Sequence, residues 1–154
     1  LSMENQVYTR LMGIDFGTKR IGLALTDPLM TFAYPYQTIA NDAKLWTVLP
    51  KIIAEMEVSK IILGYPLKES GDKSVSTVGV EKFHEALKKL FKNEIILWDE
   101  RYTSVIAKEN ILQSVSKKSK RRDKGLLDQN SAAIILEEYM RSEEIAGKRN
   151  SLRP

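Results

Sequence analysis

Apolar and polar positions along the chain follow two rhythms. Tyr8 to Phe16 is an apolar run ending in the Gly17-Thr18-Lys19 turn signal, Arg20 to Thr26 is a second run closed by Asp27-Pro28, and Thr31 to Ile39 is a third, rich in Thr and Tyr. These read as three successive strands, and such short turns imply an antiparallel meander. Pro35 has no N–H to give to a ladder, so it favours an edge strand or an interruption there. The rhythm then changes. Leu45, Trp46, Leu49, Ile52, Ile53 and Met56 recur at helical spacing, with Pro50 inside the pattern predicting a kink or a later start. Ile61-Ile62-Leu63-Gly64 reads as a buried strand, and Val80, Phe83, Leu87, Leu90 and Phe91 as a second helix with Ser74 or Ser76 as its cap. Ile95-Ile96-Leu97-Trp98 is another buried strand, Val105 to Val115 has a helical pattern, and Leu126 to Met140 reads as a final helix. A meander followed by crossover strands gives an α/β fold: a mixed five-stranded sheet, three strands antiparallel and two parallel, with helices packed against it.

The length of 154 residues fits one domain, set at residues 3–142, with 143–154 expected as a flexible C-terminal tail; Leu1 and Ser2 precede Met3 and stay outside the fold argument. There is no cysteine, which excludes disulfides and thiolate metal sites and suits a reducing compartment. With no signal-like start and no apolar run of membrane-spanning length, the expectation is a cytoplasmic protein with no membrane partner. The net charge of +4 is unevenly placed. Lys117, Lys118, Lys120, Arg121, Arg122 and Lys124, set against Asp123 alone, put +5 into eight residues and leave the rest of the chain at −1. Such a block reads as a phosphate-facing segment or as a solvated loop.

Three constellations carry candidate chemistry. Asp15 ends the first strand within Gly13-Ile14-Asp15-Phe16-Gly17, on the face of Leu11 and Gly13. An ionised carboxylate in an apolar strand is costly unless a cation or an open strand end compensates it, and capping of the Gly17 turn is the plainer alternative. Asp99 and Glu100 follow a buried strand, where ligands bind in open α/β sheets; helix capping is again the alternative, one acid to each job. Asp128 lies in the first turn of the final helix, a position that ordinary capping would also explain. Taken together, acids from the first strand, the last strand and the last helix can meet if that helix packs beside strand one. Clustered carboxylates repel one another, and a hard divalent ion such as Mg²⁺ holds them while keeping waters that leave room for a phosphate. Two such ions, about 4 Å apart, would serve an in-line phosphodiester displacement by water.

The ordered set of motifs resembles the YqgF family, also called RuvX. Gly13-Ile14-Asp15-Phe16-Gly17-Thr18-Lys19-Arg20-Ile21-Gly22-Leu23-Ala24 is similar to its opening motif, and Ile62-Leu63-Gly64-Tyr65-Pro66-Leu67 with Gly71 to its glycine-proline loop. Asp99-Glu100-Arg101-Tyr102-Thr103-Ser104 is similar to its Asp-Glu-Arg motif, and Asp128 with Ser131-Ala132-Ala133-Ile134-Ile135-Leu136 to its C-terminal helix. The resemblance spans about residues 10–140 and implies an RNase H-like fold related to the RuvC resolvases. It implies Asp15, Glu100 and Asp128 as catalytic, metal-binding acids for Mg²⁺ or Mn²⁺, and Lys19, Arg20 and Arg101 as phosphate contacts, with Thr103 orienting the Glu100 loop. Ser104 and Gln129-Asn130 depart from the family pattern, and no second acid lies one turn beyond Asp128, which makes one-metal binding the firmer expectation.

The implied activity is a divalent-metal-dependent nuclease that processes the 5′ end of pre-16S rRNA. The alternatives are a Holliday junction resolvase acting on branched DNA and a non-catalytic nucleic-acid-binding, transcription-associated factor. Resolvases act as symmetric dimers, and with no evident apolar dimer face the expectation is a monomer or weak homodimer. Gly13 to Thr18 also resembles the first phosphate loop of actin-like ATPases and sugar kinases, but those need two such domains and this chain is too short for both. Tyr65 or Tyr102, if exposed, could stack on an unpaired base; Trp98 reads as core, and the single histidine, His84, as a surface residue.

Overall fold

The computed structural model describes residues 8–68, 70–100 and 124–151. Its elements, in chain order, are β1 (Arg10–Phe16), β2 (Arg20–Thr26), β3 (Ala33–Ala40), α1 (Leu45–Glu55), β4 (Val58–Tyr65), α2 (Val75–Leu90), β5 (Glu94–Asp99) and α3 (Lys124–Ser151). The five strands form one sheet in the order β3-β2-β1-β4-β5. β1, β2 and β3 pair antiparallel, while β4 joins β1 and β5 joins β4 in parallel, which is the mixed sheet expected.

The deviations from expectation are local. β3 begins at Ala33 because Asp27 claims the two residues before it: its Oδ1 accepts from the Thr31 and Phe32 amides at 2.8 and 2.9 Å. Pro35 falls on the edge strand and at its register shift, since Leu23 faces Gln37 while Ala24 faces Pro35. α1 starts at Leu45 and runs through Pro50 without waiting for it. Ser74 is the cap of α2: its hydroxyl accepts from the Thr77 amide, and Thr77 Oγ1 accepts from the Ser74 amide at 2.9 Å. The Thr77 hydroxyl also donates to the Pro66 carbonyl, tying the turn after β4 to α2. The helix expected over Val105 to Val115 lies outside the described residues. α3 is longer than expected and carries helical structure to Ser151, past position 142. No helix among the described residues is long and apolar enough to cross a membrane.

Strand alternation sorts the side chains onto two faces. Met12, Ile14, Ile21, Leu23, Leu25, Ile61 and Leu63 point to one side, where Leu49 of α1 and Val80, Phe83 and Leu87 of α2 cover them. Each such buried side chain stabilises the fold by roughly 1.5–3 kcal/mol. On the other face, Leu11, Ala24 and Ile62 meet Ala132, Ala133, Ile135, Leu136 and Tyr139 of α3. That second layer is thin because its contact residues are small. A Cβ at Gly13 would lie 2.6 Å from the Ala132 carbonyl oxygen; one at Gly22 would lie 2.7 Å from the Gln129 amide nitrogen and closer still to the Asp128 carbonyl. The neighbours are helix backbone, so a methyl group at either position must lift α3. Toward the other end of the helix, Lys60 donates to the Tyr139 hydroxyl at 3.1 Å, and Trp98 meets the Tyr139 ring edge-on at 6.0 Å, the core role expected of it.

Gly22→Ala is therefore expected to destabilise the protein by about 1–3 kcal/mol, the usual cost of overpacking. Thermal unfolding should show a fall of roughly 2–4 °C per kcal/mol. An unchanged melting temperature would contradict the close docking of α3.

Candidate active site

Three strands deliver their carboxyl ends to one pole of the sheet, and the α3 face carries the charged groups there. Asp15 is the next residue after Ile14 on β1 and sits opposite Gly22 of β2 in the antiparallel register. Because α3 crosses directly over Gly22 at Asp128, the missing side chain at 22 is what brings the third acid beside the first. On the far side, Gly64 of β4 pairs with Trp98 of β5, and Glu100 follows two residues on, on the same face. A Cβ at Gly64 would lie 2.6 Å from Glu100 Oε1 and 2.7 Å from Ile135 Cδ1, so the Glu100 carboxylate lies over that glycine and against α3. Asp99 shares the opposite alternation and pairs with Tyr65. Of the two adjacent acids, Glu100 belongs to the Asp15 face.

The electrostatics follow from the closeness of these groups. Burial, the Glu100 charge, a hydrogen bond between the Asp15 and Glu100 carboxyl groups and then the Asp128 charge together push the Asp15 carboxyl up to about 8. A hydrogen bond between two carboxyls requires one to carry a proton, which offsets part of the repulsion. Asp128 instead meets a cation: Arg20 Nε donates to its Oδ2 at 3.1 Å. Among the described residues no three Asp, Glu or His side chains stand as a complete metal-ligand group. Asp15 and Glu100 are the close pair, and Asp128 acts on Asp15 by charge while one of its oxygens faces Arg20. The donor set is oxygen-only and anionic, which is what a hard divalent cation takes.

Of the expected phosphate contacts, Lys19 is exposed in the β1–β2 turn and Arg20 opens β2. Lys124 opens α3. Arg101, Lys117, Lys118, Lys120, Arg121 and Arg122 lie outside the described residues, as do Tyr102, Thr103 and Ser104. Tyr65 does not offer a free ring for stacking. It packs against the core on the face away from the acids, and its hydroxyl donates to Glu81 Oε1 at 2.7 Å, where Lys73 Nζ also pairs at 2.9 Å. His84 is half-buried on α2, and burial with the nearby Lys88 charge lowers its pKa.

Sequence reasoning missed two contributors. Asn41 Nδ2 donates to the Gly17 carbonyl at 2.9 Å and its amide to the Lys19 carbonyl at 3.0 Å, so a residue after β3 fixes the turn that follows Asp15. The polar pair Asn41-Asp42 signals a turn, but nothing local names its distant partner. The Arg20–Asp128 ion pair was the other, since its members are far apart in the chain.

Solved structures share this architecture. T. thermophilus RuvC in complex with a Holliday junction substrate matches with a TM-score of 0.57 at 13% identity, covering 88% of this chain and 97% of that one. The fowlpox virus resolvase in complex with Holliday junction DNA matches with a TM-score of 0.54 at 16% identity, covering 87% and 98%. At such identities the likeness speaks for the fold, and the fold is RNase H-like. Sequence relatives speak to the activity. A Chlorobaculum tepidum protein named "Putative pre-16S rRNA nuclease" is 36% identical over 141 residues, 91% of this chain and 99% of its own length. A Salinibacter ruber protein of the same name is 39% identical over 132 residues, covering 85% and 92%. The class is thus a nuclease, a hydrolase of phosphodiester bonds, on an RNase H-like scaffold. Residues 9–142 match the RuvX family, described as Holliday junction resolvase, and the chain belongs to that family.

Proposed function

We propose that this protein is a divalent-metal-dependent nuclease that processes the 5′ end of pre-16S rRNA, with Asp15, Glu100 and Asp128 as its catalytic acids. The single observation that carries the reading is the meeting of Asp15 and Glu100 on the sheet face that α3 covers, where the docking of α3 over Gly22 brings Asp128 to the same pole. The substrate follows from relatives that match this chain along nearly their whole length and carry that name. Residues 3–142 are the working domain, and its compartment is the cytoplasm, where precursor rRNA is found.

The three carboxylates would hold Mg²⁺ or Mn²⁺, which, when bound, supplies neutralising charge to a phosphate and lowers the pKa of water. The chain's own residues do the rest. Asp15 sits at a fixed strand end, in a site partly shielded from water by α3, and must give up its proton before it can act as a ligand. Glu100 shares that proton and is steadied by its position over Gly64. Lys19, exposed in the turn after β1, Arg20, Arg101 and the basic segment of Lys117, Lys118, Lys120, Arg121, Arg122 and Lys124 attract the backbone of the nucleic acid. Water is the nucleophile in this displacement.

The family's description and the resolvase structures favour branched DNA as the second reading. One panel separates the two: precursor 16S fragments and four-way junctions, each with Mg²⁺ or Mn²⁺, against an Asp15→Asn control. Cleavage of the RNA 5′ leader by wild type alone is the expected result. Paired cuts in junctions with intact RNA would transfer the assignment to junction resolution, and no cleavage of either would overturn the nuclease reading.

A further inference from the structure

The Arg20–Asp128 pair has a geometry that stability does not explain. The two side chains are 39% and 27% exposed, and an ion pair so open to water contributes at most about 1 kcal/mol. The contact is also one-sided. A guanidinium has five N–H donors and commonly grips a carboxylate through two of them. Here Nε alone meets Asp128 Oδ2, and among the described residues the two Nη nitrogens have no partner. Arg20 lies on the α3 face of the sheet, directly after the exposed Lys19 and two residues before Gly22, over which Asp128 is docked. Its unused donors therefore stand at the acid pole. A polyanion approaching that pole meets the charge of Asp128 together with that of the Asp15–Glu100 pair, and something must offset it.

We propose that Arg20 links recognition to the site: its Nε holds Asp128 in place beside Asp15, and its Nη nitrogens take a backbone phosphate of the nucleic acid entering there. This rests on the nuclease reading and assigns to one side chain both a positioning and a binding role. The fork geometry suits it, because the guanidinium plane can meet a carboxylate on one edge and a phosphate on another. A lysine at 20 keeps the charge but has a single nitrogen for both partners. A glutamine keeps neither.

The test is a binding titration of the intact protein with a fluorescent single-stranded RNA oligonucleotide in EDTA, repeated across a salt series, for wild type, Arg20→Gln and Arg20→Lys. Arg20→Gln is expected to weaken binding about tenfold and to make the slope of log K against log salt shallower by about 0.7, one phosphate contact on a single strand. Arg20→Lys should keep the slope and fold normally, yet lose about threefold in affinity and, in a parallel cleavage assay with Mg²⁺, about tenfold in kcat at saturating RNA, because a compact ammonium lacks the planar fork that reaches Asp128 on one edge and the phosphate on another. A purely structural Arg20 would leave the salt slope untouched. An Arg20→Gln protein that binds with wild-type affinity and slope overturns the phosphate role. An Arg20→Lys protein with wild-type kcat overturns the positioning role. A wild-type protein that neither binds nor cuts nucleic acid overturns the nuclease reading itself, an outcome distinct from either of these.

Discussion

Asp15→Asn is expected to lower Mg²⁺-dependent cleavage by about a thousandfold or more while leaving the protein folded and able to bind nucleic acid. Asparagine has nearly the same shape but no charge, and it removes one of two directly touching oxygen donors. Losing a group that merely orients a metal ligand costs about 10–100-fold in affinity or activity, so losing a ligand costs more. Glu100→Gln should behave alike, because Glu100 is the other half of the pair. Nucleic-acid affinity should survive in both, since it rests on cationic groups elsewhere, and removal of a negative charge can only reduce repulsion. A single-turnover assay beside a filter-binding assay measures the two quantities. Cleavage within about tenfold of wild type in Asp15→Asn would remove Asp15 from the chemistry.

The second large effect is on stability and has the opposite sign. The folded protein holds the Asp15 carboxyl up to about 8, against an ordinary value of 3.8. Between those values the folded state keeps a proton that the unfolded chain has lost. Stability therefore falls as pH rises through that window; the contribution is intact below about 3.8 and lost above about 8. Each pH unit is worth about 1.4 kcal/mol, so over this window the loss is on the order of 6 kcal/mol. In EDTA, Asp15→Asn should melt close to wild type near pH 4 and roughly 12–24 °C higher at pH 8.5, at 2–4 °C per kcal/mol. A difference that stays flat across this range would show that the burial and the neighbouring charges do not act on Asp15 as described. Mg²⁺ should reduce or reverse the slope, because ligands must be deprotonated to bind it.

Much of this could be read from the sequence because the signals were local. Alternation in β1 to β3 gave the meander, and the placement of Ile61–Gly64 and Ile95–Trp98 gave the parallel strands, with the edge position of Pro35 following from its missing donor. Register also decides between the adjacent acids: Trp98 faces α3, so Glu100 does too and Asp99 does not. What the sequence withheld were pairings across long stretches of chain. Gly22 read only as one position of the opening motif, but its physical role is to admit the backbone of a helix more than a hundred residues away. Arg20 read as a phosphate contact and is found holding Asp128. Tyr65 looked available for stacking until α2 supplied Glu81 for its hydroxyl. The helix boundary at Met140 was missed because the polar stretch after it carries no apolar stripe, yet helix formation continues to Ser151.

The central claim is that Asp15, Glu100 and Asp128 share one divalent ion, and calorimetric titration of the metal-free protein with Mn²⁺ at pH 8.5 tests it most directly. The account predicts binding by wild type and a loss of at least about tenfold in affinity in each of Asp15→Asn, Glu100→Gln and Asp128→Asn. Equal Mn²⁺ affinity in wild type and all three variants would contradict it.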